Sequence, residues 1–161
     1  MTESNQPGRT VASSRTEMTE IVFPNDANPL GNVMGGRIMH LIDIAAAIAA
    51  GRHAGGQVVT ASVDTIDFKR PVRVGGVLVI YASVNYVHRT SMEIGVKMYA
   101  EHRGSGARSH VASAYLTFVA LDADTGTPRA VPPLIPETDD DHRRYEKAKA
   151  RREARIARLK G

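Results

Sequence analysis

Asp43 is the one acid in a long, almost wholly apolar run, Gly35 to His53, that reads GGRIMHLIDIAAAIAAGRH. Mid-helix, such a carboxylate carries a heavy desolvation cost unless it is hydrogen-bonded, paired or opened to a cleft. At helical spacings of three, four and seven it is flanked by Gly36, Met39, His40, Ala46, Ala47 and Ala50. That mostly small-sided stripe leaves room for another backbone or a ligand. Two readings stand side by side: an acid satisfied at a subunit contact, or a base facing a cleft.

The second place for chemistry is the approach to the same helix, Asn28-Pro29-Leu30-Gly31-Asn32-Val33-Met34-Gly35-Gly36. Paired glycines at a helix start leave backbone N–H groups unscreened at the positive end of the helix dipole, where an oxyanion or an anionic ligand is stabilised. A Gly-Gly pair also serves as an ordinary tight turn. His40, His53, His88, His102, His110 and His142 fall into no HxxxH or His/Asp cluster, so no metal site is expected.

The elements that must position these residues follow from periodicity. Residues 1–15 are polar and aperiodic and read as a disordered arm. Glu20–Pro24 reads as a short strand, Asn25–Val33 as a turn-rich loop, and Gly35–His53 as a helix apolar nearly all round and therefore buried. Four strands follow, at Val58–Phe68, Val77–Val87, Met92–Ala100 and His110–Leu121, joined by short turn-like segments that predict antiparallel pairing in or near sequence order. In the first of these the apolar phase moves from Val59, Ala61 and Val63 to Ile66 and Phe68, which predicts a bulge near Asp64 and Thr65. Asp64 either lines a site or stabilises that bend. Thr138, followed by Asp139, Asp140 and Asp141, opens a capped, exposed helix. The fold class is α+β: one antiparallel sheet wrapped around one long central helix, with a C-terminal helix added. Such a sheet leaves edges unpaired, and subunits are expected to associate over them.

Composition narrows the class. The chain has 161 residues, 42% apolar, enough for one domain, and no cysteine, which fits the cytoplasm and removes thiolate chemistry. No signal-length apolar core opens the sequence, and the longest apolar stretch is broken by His40 and Asp43, so neither secretion nor a membrane span is expected. Of the net +4, residues 142–161 hold nine basic and two acidic side chains, while residues 1–141 hold twelve and fifteen. A slightly acidic body with a basic tail argues against nucleic acid as the partner.

The stretch from Pro24 to Gly36, continued through Leu41-Ile42-Asp43, resembles the signature of the acyl-CoA hydrolase family of hotdog-fold thioesterases. The likeness runs on through Arg52-His53, Thr60-Ala61-Ser62-Val63-Asp64 with Phe68, Ser91-Met92-Glu93-Ile94, Val131-Pro132-Pro133, Ile135 to Thr138 and the charged terminal helix, covering about residues 16–160. The resemblance implies a hotdog domain over 16–137 with a basic helix at 138–161, hydrolysis of acyl-CoA to fatty acid and CoA, and Asn28 and Asp43 as catalytic residues. It also implies sites shared across a dimer, assembled as a trimer of dimers, a homohexamer. Two-domain animal relatives divide the surviving residues between domains, whereas this chain carries both.

On this reading Asp43 activates water or itself attacks the thioester, Asn28 orients the water or polarises the carbonyl, and the amides of Gly35 or Gly36 hold the oxyanion. Arg89, Thr90 and Ser91, with Arg143 and Arg144 of the tail, are candidates to hold the anionic end of CoA. CoA enters as part of the substrate, and no cofactor is expected. His40 reads as a packing or orienting residue rather than a base. Two rivals share the fold: a hydroxyacyl-thioester dehydratase, which calls for a histidine in the Asn25–Gly36 loop where none stands, and a non-catalytic acyl-CoA-binding regulator, which calls for a DNA-binding element.

Overall fold

The computed structural model describes residues 5–161, and the first four residues of the arm lie outside the described residues. Helix α2 (Gly35–Ala54) is the spine, and a five-stranded antiparallel sheet curls against it in the order β2 (Thr16–Ile21), β4 (Val77–His88), β5 (Ser91–Glu101), β6 (Arg108–Ala120), β3 (Val58–Phe68). Strict alternation along β4 and β5 sends Leu78, Ile80, Ala82 and Val84, then Met92, Ile94, Val96 and Met98, inward. There they meet Ile38, Leu41, Ile42, Ala45, Ala46, Ala49 and Ala50 of α2, all buried. The alanines place little more than Cβ between helix and sheet, so the two layers pack closely.

Strands β4, β5 and β6 pair in sequence order, as expected. β3 does not: it crosses to the far side and pairs with β6, while β2 takes the place beside β4. The crossing segment is anchored by buried Val72, whose carbonyl accepts from Val33 N at 2.7 Å. The first strand of the sheet is Thr16–Ile21 rather than Glu20–Pro24, because Pro24, lacking an N–H, starts a 3₁₀ turn over Pro24–Asp26.

The arm also differs from its expectation. Arg9–Thr10 form β1, parallel to β7 (Leu134–Ile135), and Val11–Ser14 form the short helix α1 with Val11 and Ser14 buried. Arg9 donates to the carbonyls of Arg52 and His53 at the C-terminus of α2, and Arg129 donates to that of Ala54. Two guanidinium groups thus satisfy end carbonyls that would otherwise be orphaned, and Gly55 ends the helix at φ 71°. A polar segment is ordered here by a helix terminus distant in sequence.

Helix α3 (Asp139–Lys160) starts as expected, with Thr138 accepting from Asp141 N and the Asp141 carboxylate returning to the Thr138 amide. It is not simply exposed. One face docks on the outer side of the sheet, burying Ala148 and setting Tyr145 edge-on to Tyr86 with ring centroids 4.9 Å apart.

The candidate active site

α2 is buried on one side only, because the sheet covers only that side. Gly36, Met39, His40 and Ile48 remain exposed, and Asp43 and Ala47 are half-buried between them. The helix expected to be enclosed therefore carries an open strip, and Asp43 sits on it. Of the small residues flanking Asp43, Ala46 and Ala50 face the sheet with no exposure, while Gly36 and Ala47 belong to the strip.

Thr60 of β3 faces this strip and donates its hydroxyl to Asp43 Oδ1 at 2.7 Å. Thr60 was not singled out from the sequence, since the apolar phase Val59, Ala61, Val63 placed it on the polar side of its strand. β3 instead contains two bulges, with Ala61 and Asp64 as the extra residues, so that Val58 and Thr60 share the helix side of the sheet with their partners Ala120 and Phe118, Thr60 staying exposed at the open strip. The bulge near Asp64 was legible; the one at Ala61 was not. Asp64 lies on the outer face of the sheet, bound to Ser62, Thr117 and Arg155, so it stabilises the bend and does not line the Asp43 site.

The loop before α2 folds into a tight finger. Ala27 bridges to Val33, Asn28 N donates to Asn32 O at 2.8 Å, and Gly31 takes φ 81°, which glycine tolerates without strain. Asn28 Oδ1 accepts from the amides of Leu30 and Asn32, at 3.0 and 3.2 Å. Two N–H donors require the oxygen to face the loop, so Nδ2 is the end of Asn28 that remains to donate. Leu30, at the finger's tip, is 76% exposed.

Gly35 and Gly36 begin α2 after Met34, which supplies no side-chain cap. Their amides find no acceptor among the described residues, and a Cβ at Gly36 would meet nothing within 4 Å. A shallow cavity of about 370 Å³ opens beside Gly35, lined by Val33, Ile38, Phe68, Lys69, Arg70 and Pro71. The sites do not close up within one chain: at 1.5 Å rise per residue, Gly36 lies about 10 Å along the helix from Asp43. No hydrogen bond joins Asn28 to Asp43 either.

The residues expected to hold CoA are dispersed. Arg89, at φ 55°, turns the β4–β5 hairpin with Thr90 and Ser91. Its carbonyl accepts from Val131 N, next to Pro132, whose carbonyl meets the buried His53 Nε2 at 2.8 Å. This turn therefore lies at the C-terminal end of α2, away from the glycines. Arg143 pairs with Asp140 at 2.9 Å, and both Arg143 and Arg144 line a cavity of about 1060 Å³ between α3 and the outer face of the sheet, across the sheet from Asp43. His40 makes no hydrogen bond among the described residues, and no group of His, Asp or Glu there could hold a metal ion. No helix among them is long and apolar enough to cross a membrane.

A sheet wrapped on one long central helix is the hotdog fold, and here a threonine-held carboxylate lies on that helix's open side. Residues 30–107 match the model of the thioesterase superfamily. The uncharacterized acyl-CoA thioester hydrolase YkhA of Bacillus subtilis is 40% identical over 128 residues, covering 80% of this chain and 74% of its own. The cytosolic acyl coenzyme A thioester hydrolase of Mus musculus is 39% identical over 149 residues, or 91% of this chain, which spans only 39% of that longer protein. Among solved structures, an acyl-CoA hydrolase of Staphylococcus aureus in complex with butyryl coenzyme A and coenzyme A is 40% identical. It superposes with a TM-score of 0.89 over 95% of this chain and 93% of its own. The same hydrolase has been solved as single asparagine-, aspartate- and threonine-to-alanine mutants. An apo-hexameric acyl-CoA thioesterase reaches TM-score 0.91 at 40% identity, over 96% and 98% of the two chains. The chain belongs to the acyl-CoA thioester hydrolase family of the thioesterase superfamily.

Proposed function

We propose that this protein hydrolyses acyl-CoA to a free acid and CoA, with Asp43 as the base or nucleophile at a site completed by a second copy of the chain. The observation that carries this reading is the Asp43 carboxylate, anchored at Oδ1 by Thr60 and open on the unpacked strip of α2. With Oδ1 held, Oδ2 is left to take a proton from water or to attack the thioester carbon. A thiol leaves readily, so the remaining requirement is stabilisation of the oxyanion.

The oxyanion donors come from the other subunit. A carbonyl held by hydrogen bonds of about 3 Å cannot touch both Asp43 and Gly36 of one helix about 10 Å apart. Two α2 helices packed antiparallel about a two-fold axis near Met39 and His40 place Asp43 of one opposite Gly35 and Gly36 of the other. Those axis residues are exposed in the single chain, Met39 by 46%. Exposed Leu30, Val63 and Phe68 lie on the finger and on edge strand β3, which the same pairing covers. Asn28 arrives on the finger with Nδ2 free to donate. The Staphylococcus aureus hydrolase mutated at an asparagine, an aspartate and a threonine supports the choice of these three residue types.

Three such dimers form the homohexamer, a reading supported by the hexameric thioesterase of the same fold. In that assembly Arg89, Thr90 and Ser91, or Arg143 and Arg144, reach the phosphates of CoA from neighbouring chains. The cytoplasm is the compartment that fits a chain without cysteine and with a mouse relative named cytosolic. The test is release of CoA thiol from acyl-CoA by the purified protein, abolished in Asp43→Ala while substrate binding persists. Full turnover by that variant would overturn the assignment.

A further inference from the structure

We infer that Arg155 and Asp64, on the face of the sheet opposite the active site, are positioning residues that hold Thr60 against Asp43. The inference rests on the reading of Asp43 and Thr60 given above. Asp64 is the extra residue of the second β3 bulge, between Val63, paired with Leu116, and Thr65, paired with Tyr115. Its carboxylate accepts from Ser62 Oγ at 2.8 Å and Thr117 Oγ1 at 2.8 Å and pairs with Arg155 Nη1 at 3.1 Å. The same Arg155 nitrogen donates to Thr117 Oγ1 at 3.0 Å. The pair is largely screened from water, with side chains 17% and 23% exposed, so it is stronger than a surface ion pair.

The bulge decides which way Thr60 faces. Side chains alternate with period two, so dropping one extra residue inverts every position beyond it. If Thr65 to Phe68 keep their partners and Asp64 joins the ladder, Asp64 turns to the core side opposite Leu116 and Thr60 turns to the outer face, away from Asp43. Within one chain β3 is an edge strand with a partner on one side only, and its own ladder with β6 resists that slip weakly. Two hydroxyl donors and the ion pair with Arg155 keep the Asp64 carboxylate outside and thus keep the bulge. Arg155 is delivered by α3, which is itself seated one turn earlier: Arg151 grips Glu93 through Nη2–Oε1 at 2.7 Å and Nε–Oε2 at 3.1 Å and covers the Tyr115 ring at 3.7 Å. The terminal helix thereby sets the geometry of a carboxylate it never touches.

The experiment measures kcat and KM for Arg155→Ala, Arg155→Lys and Asp64→Asn in the wild-type and Thr60→Val backgrounds, with exposed Arg158→Ala as control. Arg155→Ala and Asp64→Asn are expected to lower kcat about tenfold with KM held within about twofold, and Arg155→Lys to recover most of the loss. In the Thr60→Val background the same changes are expected to alter kcat by less than about twofold, because the residue they act through is gone. An Arg155→Ala enzyme with wild-type kcat, or equal losses in both backgrounds, overturns the inference. If Arg155→Ala does not fold, the isosteric Asp64→Asn decides the matter alone. Retained turnover in Asp43→Ala sinks the reading of the active site itself, a result separate from any outcome at Arg155.

Discussion

The Thr60 hydroxyl donates to Asp43 Oδ1 at 2.7 Å, tying the edge strand of the sheet to the middle of the central helix. A carboxylate fixed at one oxygen presents the other in a single direction, which is what a base or a nucleophile requires. Thr60→Val keeps the shape and removes the bond. It is expected to lower kcat by about tenfold to a hundredfold with little change in KM, and Asp43→Asn by about 10² to 10⁴. Thiol-release kinetics on both variants check the order.

Asn28 separates two roles within one side chain. Its Oδ1 serves the loop through Leu30 and Asn32. Asn28→Asp keeps that acceptor and loses the Nδ2 donor, so the finger stays folded while kcat falls by about 10² to 10³, the usual cost of one missing oxyanion donor. Equal activity in Asn28→Asp and wild type would leave Asn28 with the loop alone.

Gly36→Ala sets stability against activity. A Cβ there meets nothing within 4 Å of the single chain, and alanine favours helix over glycine, so the variant is expected to gain about 0.5 to 1 kcal/mol in unfolding free energy. The same Cβ enters the strip where a second α2 and the thioester are proposed to lie, so turnover is expected to fall. Denaturant melts and kinetics on one preparation test both halves.

His53 makes stability depend on pH. Its ring is fully buried, with Nε2 on Pro132 O and Nδ1 without a partner among the described residues. Burial pushes its pKa below the ordinary histidine value, the Pro132 carbonyl opposes that shift, and the nearby Arg9 guanidinium adds to it. The folded chain therefore refuses a proton that the unfolded chain accepts. Its contribution is complete above about pH 6.5 and is lost as pH falls below that value, with a slope of up to about 1.4 kcal/mol per pH unit. Melting temperatures from pH 7.5 to 5 should fall less steeply in His53→Gln than in wild type.

Oligomerisation and activity should fail together. Met39→Glu or Val63→Glu puts a charge on the uncovered strip or the β3 edge without disturbing the core of the single chain. Both are expected to yield smaller species by light scattering and, since Asp43 and the Gly35–Gly36 amides would then lie on separate molecules, at least about a hundredfold less turnover.

Asp43 as the lone acid of α2, the Gly35–Gly36 helix start, the Thr138 cap, the four strands that follow α2 and the bulge at Asp64 were legible from residue order alone, because each is encoded within one or two turns or a few strand positions by periodicity, capping and phase. Asn28 was legible only as part of a family signature. Tertiary structure decided what local pattern cannot carry. It sent β3 across the sheet to β6, so that Thr60 meets Asp43 from 17 residues away. It turned a polar arm into a cap for α2 through Arg9, and it brought Arg151 and Arg155 of a charged tail onto Glu93 and Asp64. In each case the side chain's partner lies far along the chain and comes within reach only once the layers have packed.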